Sequence, residues 1–89
     1  MELGEVYITR GIDAAIQESL VFGLEVWQAF QRYLHMDWGD LCQEDLDQNV
    51  RALVNGERIL ALYATSRGRI YIITEWDRSV TTILFTDEY

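Results

Sequence analysis

Residues 5–9 alternate weakly between polar and apolar side chains and predict a short strand, which Gly11 ends. Asp13 stands where a helix N-cap belongs, its carboxylate placed to accept from the first free backbone N–H groups. Apolar residues then fall at 16, 20, 24, 27, 30 and 34, the spacing of one helical face. Val21, Phe22, Val26, Ala29 and Tyr33 widen that stripe, so the helix over 13–36 is expected to be buried on more than one side. Gly23 inside it marks a bend or a close contact. Residues 35–40 close the helix, and Asp40 with Gln43 has the form of a capping box for a second helix over 41–54. Leu46, Val50, Leu53 and Val54 form the expected inner face of that second helix, and Asn55-Gly56 supplies its stop.

The remainder is β-prone. Strands are predicted over 58–65 and 69–76, joined by Ser66-Arg67-Gly68, with Gly68 at the left-handed position of a three-residue loop. That register pairs Tyr63 with Tyr71. It puts Leu60, Leu62, Ala64, Ile70 and Ile72 on one face, and Ile59, Ala61, Tyr63, Tyr71, Ile73 and Glu75 on the other. A last strand over 80–86 returns through the Asp77-Arg78-Ser79 turn. The expected fold is therefore a single α+β domain over 1–89 in the order β-α-α-β-β-β. Its two helices pack on one face of a mainly antiparallel sheet of three or four strands. Such a sheet is apolar on both sides, and two helices cover one. Tyr63, Tyr71, Ile73 and Phe85 thus mark a face expected to meet the N-terminal segment, a second copy in a homodimer, or a partner. A one-residue slip in register exchanges the faces without removing the surplus.

Charge narrows the partners. The chain has 89 residues and a net charge of −8, with seven cationic residues, all arginine, set against fifteen acids. Nucleic-acid binding needs a basic footprint, so no direct nucleic-acid contact is expected. An acidic surface favours basic proteins instead, although acidity also serves solubility alone. One cysteine, Cys42, leaves no intramolecular disulfide and fits a reducing, cytoplasmic setting. The acidic start of the chain does not read as a signal peptide, and no apolar run approaches the ~20 residues of a membrane span.

Candidate chemistry is thin. His35, Asp37, Asp40 and Cys42 lie close in sequence, but one His and one Cys make a poor zinc set. Asp37 to Asp47 lacks the spacing of an EF-hand, and helix termination explains these residues; no metal or cofactor is expected. Cys42 at a helix start has no flanking nucleophile signature and reads as a small core residue. Glu75 and Asp77 at a hairpin end are ordinary turn acids, and Arg78 is placed to pair with either. No catalytic residues are expected.

The acidic run carries more. Asp37, Asp40, Glu44 and Asp47 recur at intervals of 3, 4 and 3, with Asp45 beside them. On a continuous helix they span ~15 Å, a length over which one DNA strand sets a phosphate about every 3.4 Å. The same acids also complement the dipole of a helix start. Trp38 and Trp76 are large side chains placed to make contacts. The neighbourhood of Trp38, Asp40 and Arg78 is also a candidate small-ligand pocket.

Four segments carry a family resemblance. They are Tyr7-Ile8-Thr9-Arg10-Gly11-Ile12, Asp37-Trp38-Gly39-Asp40-Leu41-Cys42-Gln43-Glu44-Asp45, Arg58-Ile59-Leu60-Ala61-Leu62-Tyr63, and 72–85 with its closing Asp87-Glu88-Tyr89. The chain resembles small proteins of plasmids, phages and conjugative elements, often called plasmid-related proteins or type I restriction endonuclease subunit M. The methyltransferase label does not fit, because such a subunit needs a far longer cofactor-binding domain. The chain also departs from the family in lacking Lys and Pro and in carrying Trp76 where a small residue is usual.

The resemblance implies a mobile-element setting, where small acidic proteins often disarm host defences. The expected function is a non-catalytic binder that inhibits a basic host-defence nucleoprotein, a CRISPR effector or restriction complex. Asp37, Trp38, Asp40, Glu44, Asp45 and Asp47 would make the contact, with Glu75, Trp76, Asp77 and Arg78. The alternatives are a dimeric regulatory or scaffolding module and a nucleotide-binding protein.

Overall fold

A computed structural model describes all residues, Met1–Tyr89. Its elements are β1 (Glu5–Ile8), α1 (Arg10–Glu18), α2 (Leu20–Leu34), α3 (Gln43–Asn55), β2 (Ile59–Thr65), β3 (Gly68–Thr74) and β4 (Val80–Phe85), then a 3-10 turn, Thr86–Glu88. The sheet order is β1-β4-β3-β2, antiparallel except where β1 runs parallel to β4. The fold is α+β, as expected, with three helices rather than two.

The third helix arises because the first expected helix divides at Ser19. That residue is extended, at φ −145° and ψ 114°, and its Oγ accepts from the Phe22 N–H at 3.1 Å to cap α2. Its own N–H still bonds back to Ala15, so α1 and α2 meet without a loop. At the other end of α1 the cap is Thr9, not Asp13, with its Oγ1 accepting from the Ile12 N–H at 3.3 Å. Gly11 lies inside α1 rather than breaking the chain before it.

The β2–β3 hairpin is one residue tighter than expected. Thr65 pairs with Gly68 across a two-residue turn, and Tyr63 lies opposite Ile70 instead of Tyr71. Side chains hold the turn closed. Thr65 Oγ1 accepts from the Arg67 N–H, while the Glu25 carboxylate on α2 takes the Ser66 N–H and hydroxyl. The slip moves every β3 side chain to the other face. Ile59, Ala61 and Tyr63 therefore share the helix-covered face with Ile70, Ile72, Thr81 and Ile83, all buried. Phe85 stacks there on Phe22, with ring centroids 5.5 Å apart.

Tyr71, Ile73 and Leu84 project from the opposite face. Tyr63, Tyr71, Ile73 and Phe85 thus do not form one surface. The opposite face is also partly clothed by the chain itself. Tyr89 sets its ring edge-on to Tyr71 at 5.6 Å, Arg58 lies over Tyr89, and Ile73 and Leu84 are buried.

A buried hydroxyl chain threads the core. Tyr33 Oη meets Thr74 Oγ1 at 2.6 Å, Thr74 meets Thr81 Oγ1 at 2.8 Å, and Thr81 donates to the Leu3 carbonyl at 2.7 Å. It links α2, both central strands and the N-terminal segment, and each polar group is satisfied. No helix is long and apolar enough to cross a membrane.

Candidate functional site

The acidic run that looked like one stripe occupies two different structures. Residues 37–40 form a strap along the free edge of β2. The Leu62 N–H donates to the Trp38 carbonyl at 3.1 Å, and the Asp40 N–H donates to the Leu62 carbonyl at 2.7 Å. Gly39 at the centre has φ +78°, and a Cβ there would lie 1.9 Å from the Leu62 oxygen, so only glycine permits the contact. Tyr63 anchors the strap from below by donating to the Asp37 carbonyl at 2.8 Å, and its burial raises the phenol pKa.

Asp37 itself faces back onto α2. Arg32 grips it with two bonds, Nε at 2.8 Å and Nη2 at 3.1 Å, and this grip holds the carboxyl below its ordinary range. Trp38 is 7 % exposed, a core residue rather than a contact residue, and its buried Nε1 has no hydrogen-bond partner.

α3 starts only at Gln43. Its N-cap is Cys42, not Asp40, whose backbone is already committed to Leu62. Cys42 is exposed rather than buried, with its thiol donating to Asp45 at 3.4 Å. Asp37 and Asp40 are therefore not on the helix that bears Glu44, Asp45 and Asp47, and the even spacing along a strand of phosphates does not arise. The inner face of α3 also shifts by one position. Asn49 and Ala52 are buried between half-buried Leu46 and Leu53, whereas Val50 and Val54 face out. Asn49 spends its whole amide on the β2 edge, accepting from the Leu60 N–H at 3.1 Å and donating to the Leu60 carbonyl at 2.6 Å.

The β3–β4 turn sits at the other end of α3. Arg78 does not pair with Glu75 or Asp77 through their carboxylates. It reaches the Ala52 carbonyl at 3.2 Å and the Glu57 carbonyl at 2.6 Å, which closes the helix C-terminus with a cation. Asp77 instead accepts from the Ser79 hydroxyl and N–H, bonds that keep its carboxyl below the ordinary range. Trp76 is 67 % exposed. The two groups of expected contact residues thus sit at opposite ends of a 13-residue helix, ~20 Å apart along its axis.

Beyond Asp37, the acids on this side lie outside any ion pair. The chain has two ion pairs, Arg32 with Asp37 and Arg67 with Glu18. Asp40, Glu44, Asp45 and Asp47 are exposed and take part in neither. Two arginines near α3 are also spent internally, Arg78 on carbonyls and Arg51 on Gln48.

A cleft of about 340 Å³ lies between α3 and the start of β2, lined by Asp45, Gln48, Asn49, Glu57, Arg58 and Leu60. It is open and polar, and Asn49 and Gln48 in it already have partners. Nowhere do three His, Cys, Asp or Glu side chains converge as metal ligands do. His35 Nδ1 is bonded to the Gln31 carbonyl.

The second surface is one the spacing marked but assigned to the core. α2 buries Phe22, Val26, Ala29 and Tyr33, the residues expected only to widen its stripe. The expected principal stripe faces water instead: Leu20 is 81 % exposed, Leu24 54 %, Trp27 61 % and Leu34 45 %. Beside it, a groove of about 270 Å³ runs between α2 and β1, lined by Val6, Ile16, Val26, Trp27, Phe30 and Ile83. Comparison with protein-family models, curated proteins and solved structures finds no match to this chain.

Proposed function

We propose that the protein is a non-catalytic binder that occludes the nucleic-acid site of a basic host-defence complex, a restriction or CRISPR effector. The supporting observation is the exposed acidic surface of Asp40, Glu44, Asp45 and Asp47, which lies outside both ion pairs. Complementary charge of this kind speeds encounter and fixes orientation. Exposed Trp76, with Val50 and Val54 on the outer side of α3, offers apolar contact at the far end of the helix. The mobile-element setting is carried by the sequence resemblance alone.

The mode of action is charge-based occlusion and not strand-like mimicry, because the strap and α3 do not continue one another. The test assays DNA cleavage by a panel of restriction and CRISPR effector complexes in the presence of the chain. Cleavage by at least one should fall, and the neutralised variant D40N/E44Q/D45N/D47N, folded by circular dichroism, should restore it. Inhibition that survives this substitution would sink the mechanism.

A further inference from the structure

We propose that two copies of this chain associate through the outer face of α2, antiparallel and about a two-fold axis at Trp27. The exposed apolar residues of that helix are Leu20, Val21, Leu24, Trp27 and Leu34, joined by half-buried Phe30. Leu20, Leu24, Trp27, Phe30 and Leu34 recur at intervals of 4, 3, 3 and 4, which read identically in both directions from Trp27, with Val21 beside Leu20 outside this symmetry. In an antiparallel pair this sets Leu20 of one copy against Leu34 of the other, Leu24 against Phe30, and Trp27 against itself. A two-fold interface requires this reciprocity, in which position i meets j and j meets i. A partner of unrelated sequence has no need of it.

Charge favours the same occupant. α2 carries two charged residues, Glu25 and Arg32, and both are engaged elsewhere, Glu25 with Ser66 and Arg32 with Asp37. The outer face is left with Leu20, Val21, Leu24, Trp27, Gln28 and Gln31, none of them ionisable. In a chain of net charge −8, this is the helix face on which a second copy meets no carboxylate. A basic partner would find nothing there to pair with. The other exposed apolar side chains of the helices, Val50 and Val54, flank Arg51 on α3 instead.

The patch is also broad enough to matter. α2 has 15 residues, ~22 Å along its axis, and the apolar surface continues across the groove to Val6 at the sheet edge. The two sheet edges are treated differently. The edge of β2 is closed by the strap and by Asn49, whereas β1, beside this patch, is exposed along all four residues.

Sedimentation velocity over ~1 to ~500 μM, the range of weak self-association, tests the proposal. The expected species at high concentration has twice the 10.4 kDa mass of one chain. L20E, at the most exposed of these positions, should weaken the dimer by about ten-fold, and L24E/W27E should abolish it. Both variants should keep the wild-type circular dichroism spectrum and urea midpoint, since they replace exposed side chains. A wild-type protein that stays monomeric throughout overturns the proposal and leaves the face to another protein. A dimer that persists in folded L20E and L24E/W27E overturns it too, because the contact then lies elsewhere.

Discussion

Single residues decide how tightly the sheet is bound to what surrounds it. Gly39 is the sharpest case, because both its φ and its 1.9 Å approach to the Leu62 oxygen exclude a side chain. Gly39→Ala should cost more than ~2 kcal/mol in urea unfolding, since the strap must lift off β2 before a Cβ fits. In the hydroxyl chain, Thr81→Val leaves the Leu3 carbonyl without its partner and interrupts the link to Tyr33. The same assay should register a loss of about 1–3 kcal/mol there.

Burial pushes the Tyr33 phenol up to about 12, and Tyr63 moves in the same direction. The folded protein therefore holds these protons more tightly than the unfolded chain does. That contribution is complete below the unfolded value of about 10 and is lost as pH rises from there through about 12. The urea midpoint of wild type should accordingly fall more steeply over that interval than that of Tyr33→Phe. Equal slopes would contradict the assignment.

At the scale of elements, the β2 edge shows what guards a strand. Its outward backbone groups at Leu60 and Leu62 are taken by an amide side chain and by the strap. Asn49→Leu fills similar space but leaves both Leu60 groups unpaired. It should cost about 2 kcal/mol and promote strand-to-strand association, visible as light scattering at high concentration.

Much of this was legible in the sequence, because strand alternation and the Gly56 stop agree with the fold that forms. What was not legible has identifiable causes. The apolar spacing runs unbroken from Ile16 through Leu20, so the extended Ser19 between them is masked. α2 is apolar on two sides, and periodicity cannot say which side meets the sheet. Hairpin register turned on whether Gly68 belongs to the loop or the strand, and Glu25, distant in sequence, settles that by holding Ser66. Among the site residues, Glu44, Asp45, Asp47 and Trp76 are exposed. Trp38 and Asp37 were misplaced because a strap on a strand edge leaves no periodic trace.

The whole molecule divides its surface by charge, and that division makes the two proposed contacts separable. Asp37, Asp40, Glu44, Asp45 and Asp47 lie together on the strap and α3, while the outer face of α2 is uncharged. Two copies of net charge −8 repel at long range wherever they touch, so self-association through α2 works against that field. Salt removes the opposition: the Debye length falls from about 30 Å at 0.01 M to about 3 Å at 1 M ionic strength. Dimerisation by apolar burial should therefore strengthen as salt rises. Binding of Asp40, Glu44, Asp45 and Asp47 to a basic partner should weaken over the same range, because its attraction is what salt screens. Sedimentation and partner-binding titrations in parallel, from low to high salt, should give slopes of opposite sign. A dimer that dissociates as salt rises would point to ion pairs between copies, which the uncharged face of α2 cannot supply.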